Sequence, residues 1–309
     1  MELICQLTDL QGKVTRWNAL SSLEIRRSRE TPADSLEVRG YLPHLPGNYR
    51  QAVVTADGVE LFRGRVDRQE ASLSLRGSQM LLECRSLGGM AIDNEAPPRE
   101  YLSVGGTELF QEHLAPFGFS LGESLPATRL SSFKVTAGLR EWEVFAIFCL
   151  RAYGKIPYLD RNQRVWLSPR GRQVKGESGK VQKIAQIYQP CKTISHVYVR
   201  DGEGYYTTRA VNPRLQDSTL IRRRFIVPNP QYTGTKYGNA YERMAASLRE
   251  TFRQEVIFSG VLEIEPGDSL SLAHPWASGE MTLVEEVIYR LGEDGVTTQV
   301  TAIRPEDSL

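Results

Sequence analysis

The chain has 309 residues, 40% of them hydrophobic and 24% charged, with 38 Lys plus Arg against 37 Asp plus Glu. That length exceeds what one compact core needs, so roughly two to four domains are expected. A formal net charge of +1 gives no general drive toward nucleic acid, an anionic membrane or an acidic substrate.

The first block, 1–95, reads as strands. Leu3–Thr8 and Ser35–Val38 alternate apolar and polar residues. Gln51–Thr55 runs into Asp57-Gly58, a hairpin dipeptide, and Val59–Phe62 follows it. Arg65–Leu75 and Ser78–Cys84 flank a second turn, Arg76-Gly77-Ser78. Short strands separated by tight turns predict a small antiparallel barrel or sandwich, closed off by Ala96-Pro97-Pro98.

The second block, 96–188, changes character. Thr107 caps a helix over Glu108–Leu114 that stops near Pro116. Trp142, Phe145, Phe148, Cys149 and Ala152 share a helical face, and Gly154 ends that helix. The longest apolar run, Val144–Leu150, lies inside it and reads as buried helix, not as a membrane span of roughly 20 residues. A hairpin over Pro157–Asp160 and Gln163–Leu167 completes a small α+β unit. Arg170–Lys180, rich in Gly, Ser and charge, reads as a linker or exposed loop.

The third block, 189–309, is again β-rich. Strands are expected at Ile194–Val199, Tyr205–Val211, Ser218–Val227, Glu255–Leu262, Ser269–Leu272, Met281–Leu291 and Val296–Ala302. Pro228-Asn229-Pro230 breaks the series, and Pro266-Gly267-Asp268 and Glu293-Asp294-Gly295 mark turns. One helix is inserted near 238–251, with Tyr241, Met244, Ala245 and Leu248 as its apolar stripe. That stripe is expected to pack on the second barrel. The predicted fold class is therefore mainly β with an α+β insertion: two antiparallel barrels flanking a small α+β domain.

Catalytic chemistry is sparse. His44, His113, His196 and His274 are isolated and read as structural. Cys5, Cys84, Cys149 and Cys191 form no C-x-x-C pair; three sit in apolar patterns, so buried free thiols are expected. No nucleophile elbow or P-loop is present, and Gly88-Gly89 and Gly105-Gly106 are bare doublets. Asp93-Asn94-Glu95 is a polar cluster that could bind a cation, against the plainer reading of a solvated turn after a strand. Glu263/Glu265 and Glu285/Glu286 are the nearest thing to paired carboxylates, but Glu285 and Glu286 would face opposite ways in a strand, and Glu263 and Glu265 would share a face but flank a turn. No catalytic, cofactor or metal residue is assigned. The strongest charge run, Arg222-Arg223-Arg224, is the one candidate site: a subunit interface or a wall facing a DNA-carrying channel, against the plainer reading of a solvated strand. Met1-Glu2-Leu3-Ile4 lacks a basic start and a long apolar run, so a protein kept in the cytoplasm until assembly is expected.

The segment Leu61-Phe-Arg-Gly-Arg-Val-Asp67, then Leu81–Ser86 and Asp93-Asn94-Glu95-Ala96-Pro97, resembles the baseplate hub proteins of contractile-tailed phages and phage-like particles, the late control D family. The resemblance resumes in the helix Tyr241–Arg249, Gly260–Leu262, Glu265-Pro-Gly-Asp-Ser-Leu270 and Leu283–Tyr289. It implies two tail-tube-like barrels per chain and a homotrimeric ring that adapts a sixfold tube to a threefold spike, with no enzymatic activity. The implied partners are the tail tube, central spike, baseplate wedge and tape-measure proteins, with DNA as a transient passenger in the lumen, no membrane insertion, and a place in the virion tail. Two other readings stand beside it. A host- or carbohydrate-binding β-module would show exposed aromatic clusters on one domain. A cell-wall hydrolase would need a carboxylate, Cys/His or zinc constellation.

Overall fold

The computed structural model describes residues 2–42, 46–74, 77–215, 219–227, 236–277, 280–293 and 295–307. His44, Leu75, Arg76, Ser218, Pro228-Asn229-Pro230 and Asp294 lie outside the described residues, as does the side chain of Tyr241. Strand accounts for 49% and helix for 17%, so the chain is mainly β with an α+β insertion, as expected.

The first seven strands are β1 (Leu3–Asp9), β2 (Val14–Trp17), β3 (Leu20–Ser28), β4 (Ser35–Tyr41), β5 (Tyr49–Ala56), β6 (Val59–Ser74) and β7 (Gly77–Arg85). The middle unit holds α1 (Gly88–Asp93), β8 (Arg99–Gly105), α2 (Gly106–His113), β9 (Ser120–Leu121), β10 (Arg129–Val135), α3 (Glu141–Tyr153), β11 (Tyr158–Leu159) and β12 (Arg164–Trp166). There follow β13 (Gln173–Gly176), β14 (Val181–Tyr188), β15 (His196–Val199), β16 (Thr208–Val211), β17 (Arg223–Ile226) and α4 (Lys236–Thr251). The chain closes with β18 (Phe252–Ser259), β19 (Ser269–Leu272), β20 (Thr282–Gly292) and β21 (Gly295–Ile303).

Among the described residues, the strands of the first and last blocks form one curled sheet. Its order is β14-β18-β21-β20-β3-β4-β7-β6-β5-β1-β2, with β19 beside β20 and β13 beside β19. Only the β13–β19 contact in it is parallel. The two β-blocks meet where β20 pairs with β3, from Glu286↔Ser28 to Leu291↔Leu23. One apolar core runs across that joint and includes Leu23, Ile25, Val38 and Phe62 together with Phe258, Val287 and Val300. Alternation drives it: β4 is exposed and buried at successive residues, placing Leu36, Val38 and Gly40 inward.

The middle unit has its own core. Trp142, Phe145 and Phe148 are buried on α3, as their helical spacing predicts. Phe145 meets Phe110, and Phe148 meets Phe133 and Tyr153, edge to face. Glu143 accepts a hydrogen bond from the Arg140 amide (2.9 Å) at the start of α3, and Gly154, at φ +66°, ends it.

Three expectations are corrected. Arg170–Lys180 is not a loop throughout: β13 lies within it, and β13 and β14 belong to the large sheet, not to the middle unit. Only Val174 and Gly176 turn inward on β13, too few apolar residues to register as a pattern. Second, β15, β16 and β17 stand apart as a separate three-stranded sheet, order β16-β15-β17. Third, α4 packs chiefly on that small sheet: Ala240 and Met244 join Ile194, Val197, Val199 and Ala210 in a third core. Residues 189–251 thus form an insert between two strands that pair with each other, Tyr188↔Phe252. The Gln189 amide donates to the Thr251 carbonyl at 2.8 Å where the insert leaves and returns.

Candidate functional site

Two features of the molecule stand out from ordinary packing: the joint where its units meet, and the outer face of the inserted sheet.

The joint forms because β20 serves two partners on one side. Its first residues pair with β19, Leu283↔Ser269 and Thr282↔Leu270. Beyond a register shift between Val284 and Glu286, the same edge pairs with β3. Glu285 sits at that shift. Its carboxylate accepts a hydrogen bond from Arg29 Nη1 (2.7 Å), and both side chains are nearly buried. The Arg29 guanidinium also lies 4.8 Å from the centroid of the Tyr158 ring, which belongs to the middle unit. One arginine therefore touches all three blocks.

Further charges surround it. Arg27 Nε donates to Asp34 (2.9 Å), and its guanidinium also donates to the Leu61 carbonyl. Arg161 bonds Glu263 (2.6 Å) and lies 2.8 Å from Glu265. Arg170 also donates to Glu265, and Asp268 accepts from the Glu265 amide at 2.9 Å. Gly267 makes the turn possible: at φ +88° a side chain there would be strained, and a Cβ would lie 2.2 Å from the Tyr158 hydroxyl. Arg27, Arg29, Arg161, Arg170 and Arg172 thus face Asp34, Glu263, Glu265, Asp268 and Glu285, a charge-balanced network. Burial pushes the Asp34, Asp268 and Glu285 carboxyls up, against the pull of their arginines. The hydrogen bond from Arg161 holds Glu263 below its ordinary value. Pairs of this kind recover little net stability, because desolvation offsets attraction. They fix geometry instead, since each misplacement strands a buried charge.

The remaining sequence candidates fall into structural roles. His113 is buried between Glu141 (2.5 Å) and the Tyr101 hydroxyl (2.9 Å). Glu286 pairs with Arg26, facing away from Glu285. Asp93 and Asp67 both hold Arg85, each at 2.7 Å, which ties the three segments Leu61–Asp67, Leu81–Ser86 and Asp93–Pro97 together. Cys5, Cys84 and Cys149 are buried free thiols, while Cys191 is exposed; burial pushes Cys5 up to about 12, away from the reactive thiolate. Among the described residues no group of three or more His, Cys, Asp or Glu could hold a metal ion, and no helix is long and apolar enough to cross a membrane.

Arg222-Arg223-Arg224 lies at the insert. Arg222 precedes β17; its amide donates to Ser195 Oγ (2.8 Å), anchoring β17 to β15. Arg223 and Arg224 point to opposite faces of β17, paired with His196 and Val197. The run does not meet the ion network of the joint. The joint itself escaped the sequence reading, because Arg27 and Arg29 fill inward positions that alternation reserves for apolar residues. Leu23, Ile25 and Arg27 are buried at period two, which is the signal that was there to find.

No protein-family model and no curated protein matches the sequence. Solved structures do match. The prophage MuSo2 43 kDa tail protein from Shewanella oneidensis aligns over 100% of both chains, with a TM-score of 0.78 and 13% identity. The tail protein from Neisseria meningitidis MC58 aligns over 100% of this chain and 99% of its own, with a TM-score of 0.74 and 17% identity. A component of the E. coli type VI secretion system, described as structurally similar to bacteriophage T4 tail proteins, aligns over 92% of this chain and 73% of its own, with a TM-score of 0.59 and 11% identity. At these identities the likeness is one of architecture, and over its whole length this chain has the fold of prophage tail proteins.

Proposed function

We propose that the chain is a structural, non-enzymatic hub of a contractile phage-type tail baseplate. Three copies form a ring, and each contributes two tube-like units, the halves of the large sheet on either side of the β3–β20 joint. Six such units from three chains would match a sixfold tail tube above and a threefold spike below. Whole-length agreement with tail proteins, in both directions, is the observation that carries this reading. The ion network supports it: an adapter must hold its two units at one angle, and buried pairs with a single satisfied geometry do that. The tail tube, spike, wedge and tape-measure proteins are then the partners, DNA passes through the lumen, and the ring resides in the virion after assembly in the host cytoplasm.

The test is genetic. Particles made without this chain should show tail tubes and spikes that no longer join, and supplying the chain in trans should restore baseplates. Complete, spike-bearing tails formed in its absence would sink the reading.

A further inference from the structure

The outer face of the inserted sheet brings exposed apolar groups and arginines together. The inner face, Val197, Val199 and Ala210, is buried against α4. By register, the outer face carries His196, Val211 and Arg223 in one row and Tyr198, Arg209 and Phe225 in the next. Val211 and Phe225 are 47% and 59% exposed, and Ile221 and Val227 at the two ends of β17 are 65% and 61% exposed. Such an apolar cluster, unlike scattered surface residues, marks an interaction surface.

Its arginines share one property. On the large sheet several half-exposed arginines have carboxylate partners, among them Arg26, Arg39, Arg63, Arg68 and Arg85. Among the described residues, Arg209, Arg222, Arg223 and Arg224 have none. Arg209 donates to His196 (2.8 Å), Arg222 to the Cys191 carbonyl (2.6 Å) and Arg224 to the Arg223 carbonyl (2.9 Å). Partial burial, and then the charges of Arg209 and Arg223, hold His196 below its ordinary pKa.

The backbone is open as well. The Arg222 carbonyl accepts from the Ser195 and His196 amides at the start of β15, and the Ile226 carbonyl from the Arg200 amide just past its end. By the two-residue period of a strand, Arg223 and Phe225 turn their amides and carbonyls to the other edge, where no described strand pairs with them and the Arg223 carbonyl accepts only from the Arg224 guanidinium among the described residues.

We propose that this face, with the free edge of β17, docks an acidic extended segment of a protein partner, whose carboxylates meet Arg209 and Arg223 and whose alternate apolar side chains meet Val211 and Phe225. Strand addition supplies the backbone bonds and the side-chain alternation supplies the selectivity. Nucleic acid fits less well. The Tyr198 and Phe225 rings are stacked on each other, 4.9 Å apart and 14° from parallel, so neither offers both faces to a base, and exposed aliphatic groups do nothing for a phosphate. The inference is independent of the hub reading: it depends on the insert alone.

The experiment uses the full chain and three labelled probes: a blocked peptide of alternating Glu and Val, its Lys and Val counterpart, and a DNA duplex. Binding is read by fluorescence anisotropy. The acidic peptide should bind, and R209E/R223E should weaken it about tenfold or more. Phe225→Ser should weaken it with the charges intact. R39E, which alters an exposed arginine of the large sheet, should leave it unchanged. Arg223→Gln, a milder change at an exposed site, backs up the charge reversal should that variant misfold. Equal binding of the two peptides, preference for the duplex, indifference to both Arg223 variants, or self-association that R223E abolishes would each overturn the proposal.

Discussion

Arg29 and Glu285 show how much one pair can govern. Arg29 spans the two halves of the sheet through Glu285 and reaches the middle unit through Tyr158. Replacing Arg29 by Ala leaves a carboxylate buried without its arginine, and should cost about 3–5 kcal/mol in equilibrium unfolding. Changing both residues together to apolar groups of similar size, R29M/E285L, should recover most of that loss, since a buried pair adds little net stability. The pH response has a definite sign. Burial raises Glu285 above its unfolded value, so the folded state binds the proton more tightly. Its contribution is fully present below the unfolded pKa, about 4.3, and is lost as pH rises through the raised folded value. In paired urea titrations, the stability of the natural protein relative to Glu285→Gln should therefore grow as pH falls through that window. A constant difference would show that Glu285 does not titrate against its burial. Little of this was legible in the sequence. Glu265 and Glu285 were visible as paired acids, but their partners Arg170 and Arg29 are about a hundred residues or more away in the chain, and no local pattern encodes such a meeting.

At the scale of elements, the sequence was readable where one face was wholly apolar. The Trp142, Phe145 and Phe148 spacing identified α3, and those residues are buried. Phe145→Ala should cost about 3–5 kcal/mol by thermal or chemical unfolding, as the loss of a fully enclosed aromatic ring does. β3 and β13 were not readable, the first because its buried face ends in Arg27, the second because a single valine marks its interior. The stripe on α4 was seen but assigned to the wrong support, because apolar spacing reports that a face is covered and not what covers it. The insert offers a sharper test. Its two ends meet at the Tyr188↔Phe252 pair, so replacing 189–251 by Asn-Gly should close a two-residue hairpin. The shortened chain should still unfold cooperatively, with both remaining cores intact by amide exchange. Aggregation or loss of protection in β20 and β21 would mean that the insert supports the sheet.

For the whole molecule, the proposed hub function requires the two halves of the large sheet to hold one arrangement and to repeat around a ring. The near-zero net charge gives no long-range steering, so assembly would depend on matched surfaces and covered strand edges. Composition and alternation pointed to a β-rich chain with a helical insertion, and the resemblance supplied the number of copies, which no residue pattern contains. Electron cryomicroscopy of particles from the native host, with this chain tagged, tests the central claim most directly. The account predicts three copies in one ring between tube and spike, with the two half-sheets of each copy at alternating, near-sixfold positions around the lumen. Two or six copies, or density for the tag anywhere outside that ring, would contradict it.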